Sequence, residues 1–538
     1  MHFTIPRTRK RISLGSAAVL LVGSALLAQL LGFYRTKLVN ANFAATGPHS
    51  TDSYFAAFTI PDFFFFTISA GALGVAFMPV LADYLAKNNR KGMWRLVSSL
   101  LNLLTIVMAV VAVVIFAFAE PIMRDIVHVH PEQLHDSVAI MRFLCLNPLL
   151  FTISGVLTAT QQALGRFFFY ATAPLLYNGS IVVAALVFST AHGHQGGPWH
   201  MGITGLGIGA LVGAVLQLLV VLVGTFGTGY RWTPHIIWRS SEFRQVLKNL
   251  PPRSIDQGMD QLESIVETRF AGRFPVGSIS YYNNAFTLQL APVLLIGTAI
   301  STAVFPRLNN RLSHGHPDLF RQDFLRYLRL IIWIALPVVV VSYFGRGYLA
   351  HLIFSKNSND IAYLFGFLTV AIFFRTIYAI ISRWFYAQKD TKTPLYVSIF
   401  TITLNIVLAD LLTRPGGYGL SGLAIAQSIV AAVEVLVLCV VMVARDHKLF
   451  DGNFWSGVFR TVSVTGFSLL AGYITVGLIP LGAEDRGFVT VGSKFLILAA
   501  VVLTTHFSIS GLFGLEEAEP FWRGVRRLVL RPVKVDYE

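Results

Sequence analysis

The chain is assembled from uncharged apolar blocks of about 20 residues or more, and that decides what it can fold into. No charged side chain occurs from Leu96 to Ala119 or from Met201 to Tyr230. At a helical rise of about 1.5 Å per residue, such blocks cross a hydrocarbon layer of roughly 30 Å. Inside that layer a backbone has no water to bond, so only helices and closed barrels span it. The blocks lack the strict alternation of a barrel strand, and they read as helices. Composition agrees: 54% of the 538 residues are hydrophobic and 13% are charged, against about 25% charged in soluble chains. The expected fold is an all-α polytopic membrane protein with about fourteen transmembrane helices. The longest polar connection divides it into a first bundle at 1–226, a cytoplasmic connection at 227–252, a second bundle at 253–445, and two further spans with a basic tail at 446–538. The similar span counts of the two halves suggest an internal repeat, with two bundles around a central cavity.

The net charge of +15 is a topology signal. Lys and Arg gather on alternate connections, such as "AKNNRKGMWR", "QKDTKTP" and "FWRGVRRLVLRPVK", while "ANFAATGPHSTD" and "TRPGGYG" carry few. The basic set is cytoplasmic by the positive-inside rule, and both termini lie with it. The basic surface then suits anionic membrane lipids, and no nucleic-acid role is needed. The basic N-terminus and the apolar run from Leu14 to Leu31 read as a retained first span, because no A-x-A cleavage end follows.

The densest intramembrane chemistry lies in "RSIDQGMDQLESIVETRFAGR". Asp256, Asp260, Glu263 and Glu267 fall at i, i+4, i+7 and i+11, on one helical stripe. Each would cost about 2.5–3.5 kcal/mol facing lipid at mid-membrane, so the stripe faces water or basic partners. As a cavity wall it implies a coupling cation, Na+ or H+, or a cationic cargo. Alternatively it is an interfacial helix whose acids are solvated or paired with Arg269 and Arg273. Asn405 and Asp410 on a later helix are candidate oxygens for the same cation site. Arg375 and Arg383 share a face, and Glu434 is a candidate partner for Arg375. Cys145 and Cys439 define neither a disulfide framework nor a metal site. His192, His194 and His200 in "HGHQGGPWH" read as loop polarity. In "GLGIGALVG" no strand precedes the glycines, so they read as a close helix-packing surface. No Ser/His/Asp set, zinc motif or phosphate loop occurs, which argues against an enzyme and a resident cofactor.

Several short stretches are similar to one family. They are "LLGFYR", "TDSYFAAFTIP", "AGALGVAFMPVLADY", "ALGRFFFYATAPLLYN", "FPRL", "FYAQKDTKTP" and "GLSGLAIAQS". Together, in this order, they resemble the MurJ/MviN-type lipid II flippases of the multidrug, oligosaccharidyl-lipid and polysaccharide exporter superfamily. The resemblance implies a bacterial plasma (inner) membrane transporter. Its cargo would be an undecaprenyl-linked peptidoglycan precursor, and cell-wall synthesis proteins would be further partners. It also implies that Arg35, Asp52 and Gln29 line the substrate site. Arg35 and Asp52 match the family pattern, whereas Gln29 stands at an arginine position. Phe65 and Phe66 stand where the family usually has two arginines, Ala70 where it commonly has glutamate, and Asn284–Ala285 where it tends to have Asp-Arg. Guanidinium forks bind phosphate through paired charge-assisted bonds, and phenylalanine cannot. These departures leave two other expectations in play: a non-transporting scaffold of the same fold, and an exporter of cationic amphiphiles.

Overall fold

The computed structural model describes residues 14–70, 77–189, 201–354, 358–482, 484, 485, 487–519, 522 and 523. These form two compact units, Met1–Gly277 and Ser278–Glu538. In the first unit the main helices are α1 (Leu14–Asn42), α2 (Thr51–Phe64), α3 (Met78–Ala86), α4 (Arg90–Ala117), α5 (Leu134–Leu144), α6 (Asn147–Ala163), α7 (Phe168–Val187), α8 (Gly205–Thr225) and α9 (Ser241–Ala271). In the second they are α10 (Ser278–Pro292), α11 (Ala299–Ser313), α12 (Pro317–Phe344), α13 (Arg346–Ile353), α14 (Ser358–Ala387), α15 (Lys392–Thr413), α16 (Ser421–Arg445), α17 (Gly452–Leu478) and α18 (Phe488–Leu512).

Among the described residues, eleven helical segments are long and apolar enough to cross a membrane. Each coincides with a span read from the sequence. The helices α1, α2 and α9 were also read as spans but are not among the eleven. α2 has only 14 residues, and α9 carries the acidic stripe. The chain is thus a multi-pass helical membrane protein. Its outer faces are apolar and bare, as at Tyr473, Leu478, Val489 and Leu496 on α17 and α18, which suits contact with lipid tails.

One boundary differs from the sequence reading. That reading opens the second bundle at residue 253, but α9 runs unbroken from Ser241 and packs on α2 and α4 in the first unit. The second unit begins at Ser278. Helix propensity explains the longer α9: "SSEFRQVLKNL" offers a capping serine, an acid in the first turn and straight-chain residues. Ser240 Oγ accepts the Phe243 N–H at 3.3 Å. The connection before it is short and pinned to α4. Ser98 Oγ meets the Tyr230 hydroxyl, Asn102 Nδ2 donates to the Thr233 carbonyl, and Trp232 Nε1 donates to Asn102 Oδ1. Below this strap, Leu96, Val97, Leu100, Val156, Phe243 and Val246 close the apolar core of the first unit.

Prolines set the breaks. Three π-helical turns, Phe65–Ala70, Ile122–Val127 and Val293–Thr298, each follow a proline: Pro61, Pro121 and Pro292. A proline removes one ladder donor, and the chain widens by a residue where the ladder is interrupted. Glycines set the closest approaches. A Cβ on Gly209 would lie 2.3 Å from the Ala184 Cβ, and one on Gly213 would lie 2.9 Å from the Tyr177 carbonyl oxygen. The small-residue run therefore seats α8 on α7, as small residues do between membrane helices.

Gly213→Ala is expected to lower stability by about 1–3 kcal/mol through overpacking. Gly179→Ala, whose Cβ meets nothing within 4 Å, is expected to be neutral or slightly stabilising. Thermal unfolding of the purified protein in detergent checks the contrast.

Candidate functional site

The retained arginine is held from two sides. Arg35 lies half-buried in the last third of α1, and its Nη1 donates to Asn178 Oδ1 on α7 at 3.0 Å. Asn178 Nδ2 is bonded to the Pro174 carbonyl at 3.1 Å, which leaves Oδ1 facing the guanidinium. This bond ties α1 to α7, where Tyr177 stands beside Asn178. Asp62, half-buried on α2, is an intramembrane acid that the sequence reading did not assign. Its signal was visible: a lone acid in the apolar run "TIPDFFFF" is by default a functional candidate. Gln29, six residues before Arg35, is half-buried on α1.

The four phenylalanines continue α2 past Asp62. Phe65 meets Phe66 at 5.2 Å and Phe151 of α6 at 5.5 Å between ring centroids, and Phe151 meets Tyr177 at 5.1 Å. All three contacts are edge-to-face, the favoured geometry for aromatic quadrupoles. The run is therefore an internal packing wall that leads from the π turn to the Arg35 cluster. It offers no hydrogen-bond donor.

Asp52 has a separate duty. It is 2% exposed, and its Oδ2 accepts the Gly277 N–H at 2.6 Å. Gly277 has φ +106, a conformation that favours glycine. Ser50 takes the N-cap position of α2, though without a side-chain cap bond. Around Asp52 the same end of the unit is tied by further bonds: Gln133 Nε2 to Ser50 Oγ, His130 Nε2 to the Phe274 carbonyl at 2.8 Å, and Arg269 Nη1 to the Asp125 and Ile126 carbonyls. These fasten the end of α9 to the loops of the first unit.

The acidic stripe is not a uniform face. Glu263 and Glu267 are 7% and 6% exposed, Asp260 is exposed, and the side chain of Asp256 lies outside the described residues. Leu262, which by its spacing lies off the stripe, is 37% exposed. Arg269 bonds the carbonyls above, and Arg273 lies over the Phe270 ring at 4.4 Å. α9 also lies close to the π turn of α2, where a Cβ on Gly258 would meet Thr67 at 3.0 Å.

In the second unit, Arg375 Nη2 donates to Gln427 Oε1 at 3.0 Å, and Glu434 Oε1 accepts from Ser398 Oγ at 3.2 Å. Gln427 and Ser398 thus hold the two side chains that the sequence reading set as partners. Ser398, Thr401 and Asn405 share one buried face of α15, while Asp410 pairs with Arg414 at 2.6 Å. Among the described residues, no three His, Cys, Asp or Glu side chains gather as a metal site would require. His192, His194 and His200 lie outside the described residues. In "FYAQKDTKTP", Asp390 closes the turn into α15. It accepts the Lys392 and Thr393 N–H groups and the Thr393 hydroxyl, and pairs with Arg445 at 2.8 Å. Partial burial works to raise its pKa, but the Thr393 bonds and Arg445 outweigh it and bring the carboxyl down to about 2.

The profile of the family described as lipid II flippase MurJ matches residues 44–490. The chain belongs to this MurJ family. Similar curated proteins are the probable lipid II flippase MurJ of Borreliella burgdorferi, 23% identical with 90% of this chain and 94% of that protein covered, and that of Bdellovibrio bacteriovorus, 24% identical with 93% and 95% covered. Among solved structures, a lipid II flippase MurJ in an inward closed conformation superposes with a TM-score of 0.75 at 20% identity, covering 92% of this chain and 98% of that one. An inward-facing MATE-family transporter of the MOP superfamily gives 0.68 at 17% identity, covering 80% and 98%. These likenesses show the fold.

Against the MurJ pattern, the departures now have positions. Phe65 and Phe66, which the resemblance sets at two arginine positions, belong to the ring wall. Asn284 and Ala285, in place of Asp-Arg, are both fully buried on α10, with Ala285 in an apolar cluster. Arg35 is the cationic member that remains in the first-unit cluster.

The uneven burial along α9 gives a labelling test in a chain whose Cys145 and Cys439 have been replaced. Asp260→Cys is expected to react with a water-soluble maleimide at least about tenfold faster than Glu263→Cys or Glu267→Cys. Equal rates at the three positions would restore the single wet face read from the sequence.

Proposed function

We propose that the protein is a flippase for lipid II, a lipid-linked peptidoglycan precursor, in the bacterial inner membrane. The observation that carries this is Arg35: a half-buried guanidinium held toward Asn178 at the place the family keeps, in a chain the MurJ profile covers from 44 to 490. Arg35 presents nitrogen donors beyond the one given to Asn178, and a phosphate oxygen is the acceptor that suits them. The polar head group would occupy the protein while the polyprenyl tail stays in lipid.

The chain works by alternating access, as two helical bundles of about fourteen spans in all rock around a central cavity. Asp52 and the bonds around Gly277 hold one end of the first unit closed, and they must break for that end to open. A coupling cation, Na+ or H+, would be served by the acids of α9 with Asn405. Both termini lie in the cytoplasm, the side of the Lys- and Arg-rich connections. The chain acts as a transporter and catalyses no covalent step.

The decisive test is complementation in bacteria depleted of their own lipid II flippase. The wild-type chain is expected to restore growth. Arg35→Ala is expected to insert normally and fail, since one charge-assisted bond to phosphate contributes about 1.5–3 kcal/mol, roughly 10- to 150-fold in binding. Growth rescue by Arg35→Ala would remove the phosphate role. A reporter active only outside the membrane should be silent at either terminus, and activity at one end would refute the even span count.

A further inference from the structure

The strap that joins α8 to α9 lies where the hydrocarbon ends. Arg95 on α4 is the last charge before the uncharged stretch from Leu96 to Ala119, and Arg231 is the first after the stretch from Met201 to Tyr230. Ser98 and Asn102, near the start of the first stretch, bond the strap at this level. Trp232 and Trp238 stand bare on it, as indole rings do in the head-group layer. A cavity of about 580 Å3 opens here between the strap and the start of α4, and Tyr84, Arg95, Ile236, Ile237, Trp238 and Arg239 line it. Its strap wall is held in place. Ser99 Oγ accepts the Ile237 N–H at 3.2 Å, Arg244 Nε donates to the Trp238 carbonyl at 3.0 Å, and the Trp238 ring meets Phe243 edge-on at 5.8 Å. The helix starts beside the cavity are already capped, α4 by Asn89 and α9 by Ser240. What the cavity offers a ligand is therefore its two guanidinium groups. Both arginines are exposed, and neither guanidinium is bonded to a described residue. None of the described lining residues is acidic. Glu242, at the start of α9, is taken up by the Ser240 and Ser241 hydroxyls at 2.6 and 3.0 Å.

We propose that this cavity binds the phosphate head group of an anionic phospholipid and so fastens the strap and the start of α9 to the bilayer surface. Planar guanidinium forks are the side chains that grip phosphate oxygens in pairs. Ile236, Ile237 and the Trp238 ring add an apolar wall beside them, which the glycerol and upper acyl chain of a lipid would cover. A free phosphate would use the same donors and leave that wall in water, so the wall favours the lipid. The wider surface assists. Lys87 to Arg95 and Arg231 to Lys248 together carry eight cations and one acid, a field that draws in an anionic leaflet. That field is diffuse, whereas Arg95 and Arg239 share one cavity. Neither belongs to the residues assigned to the cargo, so the inference stands whether or not the chain moves lipid II.

The test uses the full-length protein in detergent micelles, titrated with phosphatidylglycerol or phosphatidylcholine brominated near the head group. Bromine quenches tryptophan fluorescence on contact, and the quenching lost in Trp238→Phe isolates that ring from the other tryptophans. Phosphatidylglycerol is expected to quench the Trp238 signal at a concentration at least about tenfold lower than phosphatidylcholine. Arg95→Gln and Arg239→Gln should each raise the phosphatidylglycerol midpoint about tenfold, the worth of one charge-assisted bond. They should leave the phosphatidylcholine midpoint unchanged. Arg231→Gln, on the same strap but outside the lining, should stay near wild type. Unbrominated phosphatidylglycerol should raise the melting temperature of the wild-type chain and much less that of Arg95→Gln or Arg239→Gln, because a ligand of the folded state stabilises it. Equal midpoints for the two lipids overturn the inference. An equal loss in Arg231→Gln also overturns it, since diffuse surface charge then accounts for the binding. Displacement of the brominated lipid by an equal concentration of soluble glycerol phosphate overturns the lipid assignment and makes the cavity a free-phosphate site. Each of these outcomes leaves the complementation result for lipid II untouched.

Discussion

A chain threaded through hydrocarbon must satisfy its own backbone, and the rest of this structure depends on that requirement. It makes the fold helical and determines where the helices can fail. Among the described residues the ladder widens at the π turns Phe65–Ala70, Ile122–Val127 and Val293–Thr298, each within four residues after a proline. Hydroxyls inside spans return to the carbonyl one turn back, as Thr152 does to Pro148 and Thr160 to Val156. Such bonds let "TISGVLTATQQ" carry polar atoms through a membrane helix. The same accounting applies to charge. Several charged side chains inside the units are answered by a neutral amide or hydroxyl: Arg35 by Asn178, Arg375 by Gln427, Glu434 by Ser398.

The sequence made the fold class readable because hydrophobic blocks and charge alternation are additive signals along the chain. Eleven helical segments of the structure coincide with blocks read that way. It was less readable at α9. There, helix propensity from Ser241 onward and the acidic stripe pulled against hydropathy, and the boundary between the units fell after the helix and not before it. Periodicity placed four acids on one stripe, but neighbours decide which of them is covered. Glu263 and Glu267 are buried while Asp260 is exposed, and no spacing rule distinguishes these.

Side-chain partners were the least legible layer. Arg375 and Glu434 are opposite charges on neighbouring helices, and charge alone makes them partners; the hydrogen bonds of Gln427 to one and Ser398 to the other carry no charge pattern that a sequence would signal. Asp52 could be read as a cap or as a cargo contact, yet its carboxylate takes a backbone N–H 225 residues away. Gly277 is placed for that bond by a positive φ that the sequence signals only as a glycine. The signature turn is the contrary case. Asp390 caps the next helix through residues two and three positions on, so local spacing alone carries it.

The aromatic run shows how packing stands in for charge in this unit. Rings offer no hydrogen-bond donor, and they lower the polarity around whatever cation is left. Phe65 packs edge-to-face on Phe151, and Phe151 on Tyr177, the neighbour of the Asn178 that holds Arg35. The rings therefore tie α2 and α6 to the helix that positions the guanidinium. What an anion meets in this unit is a property of packing as much as of charge.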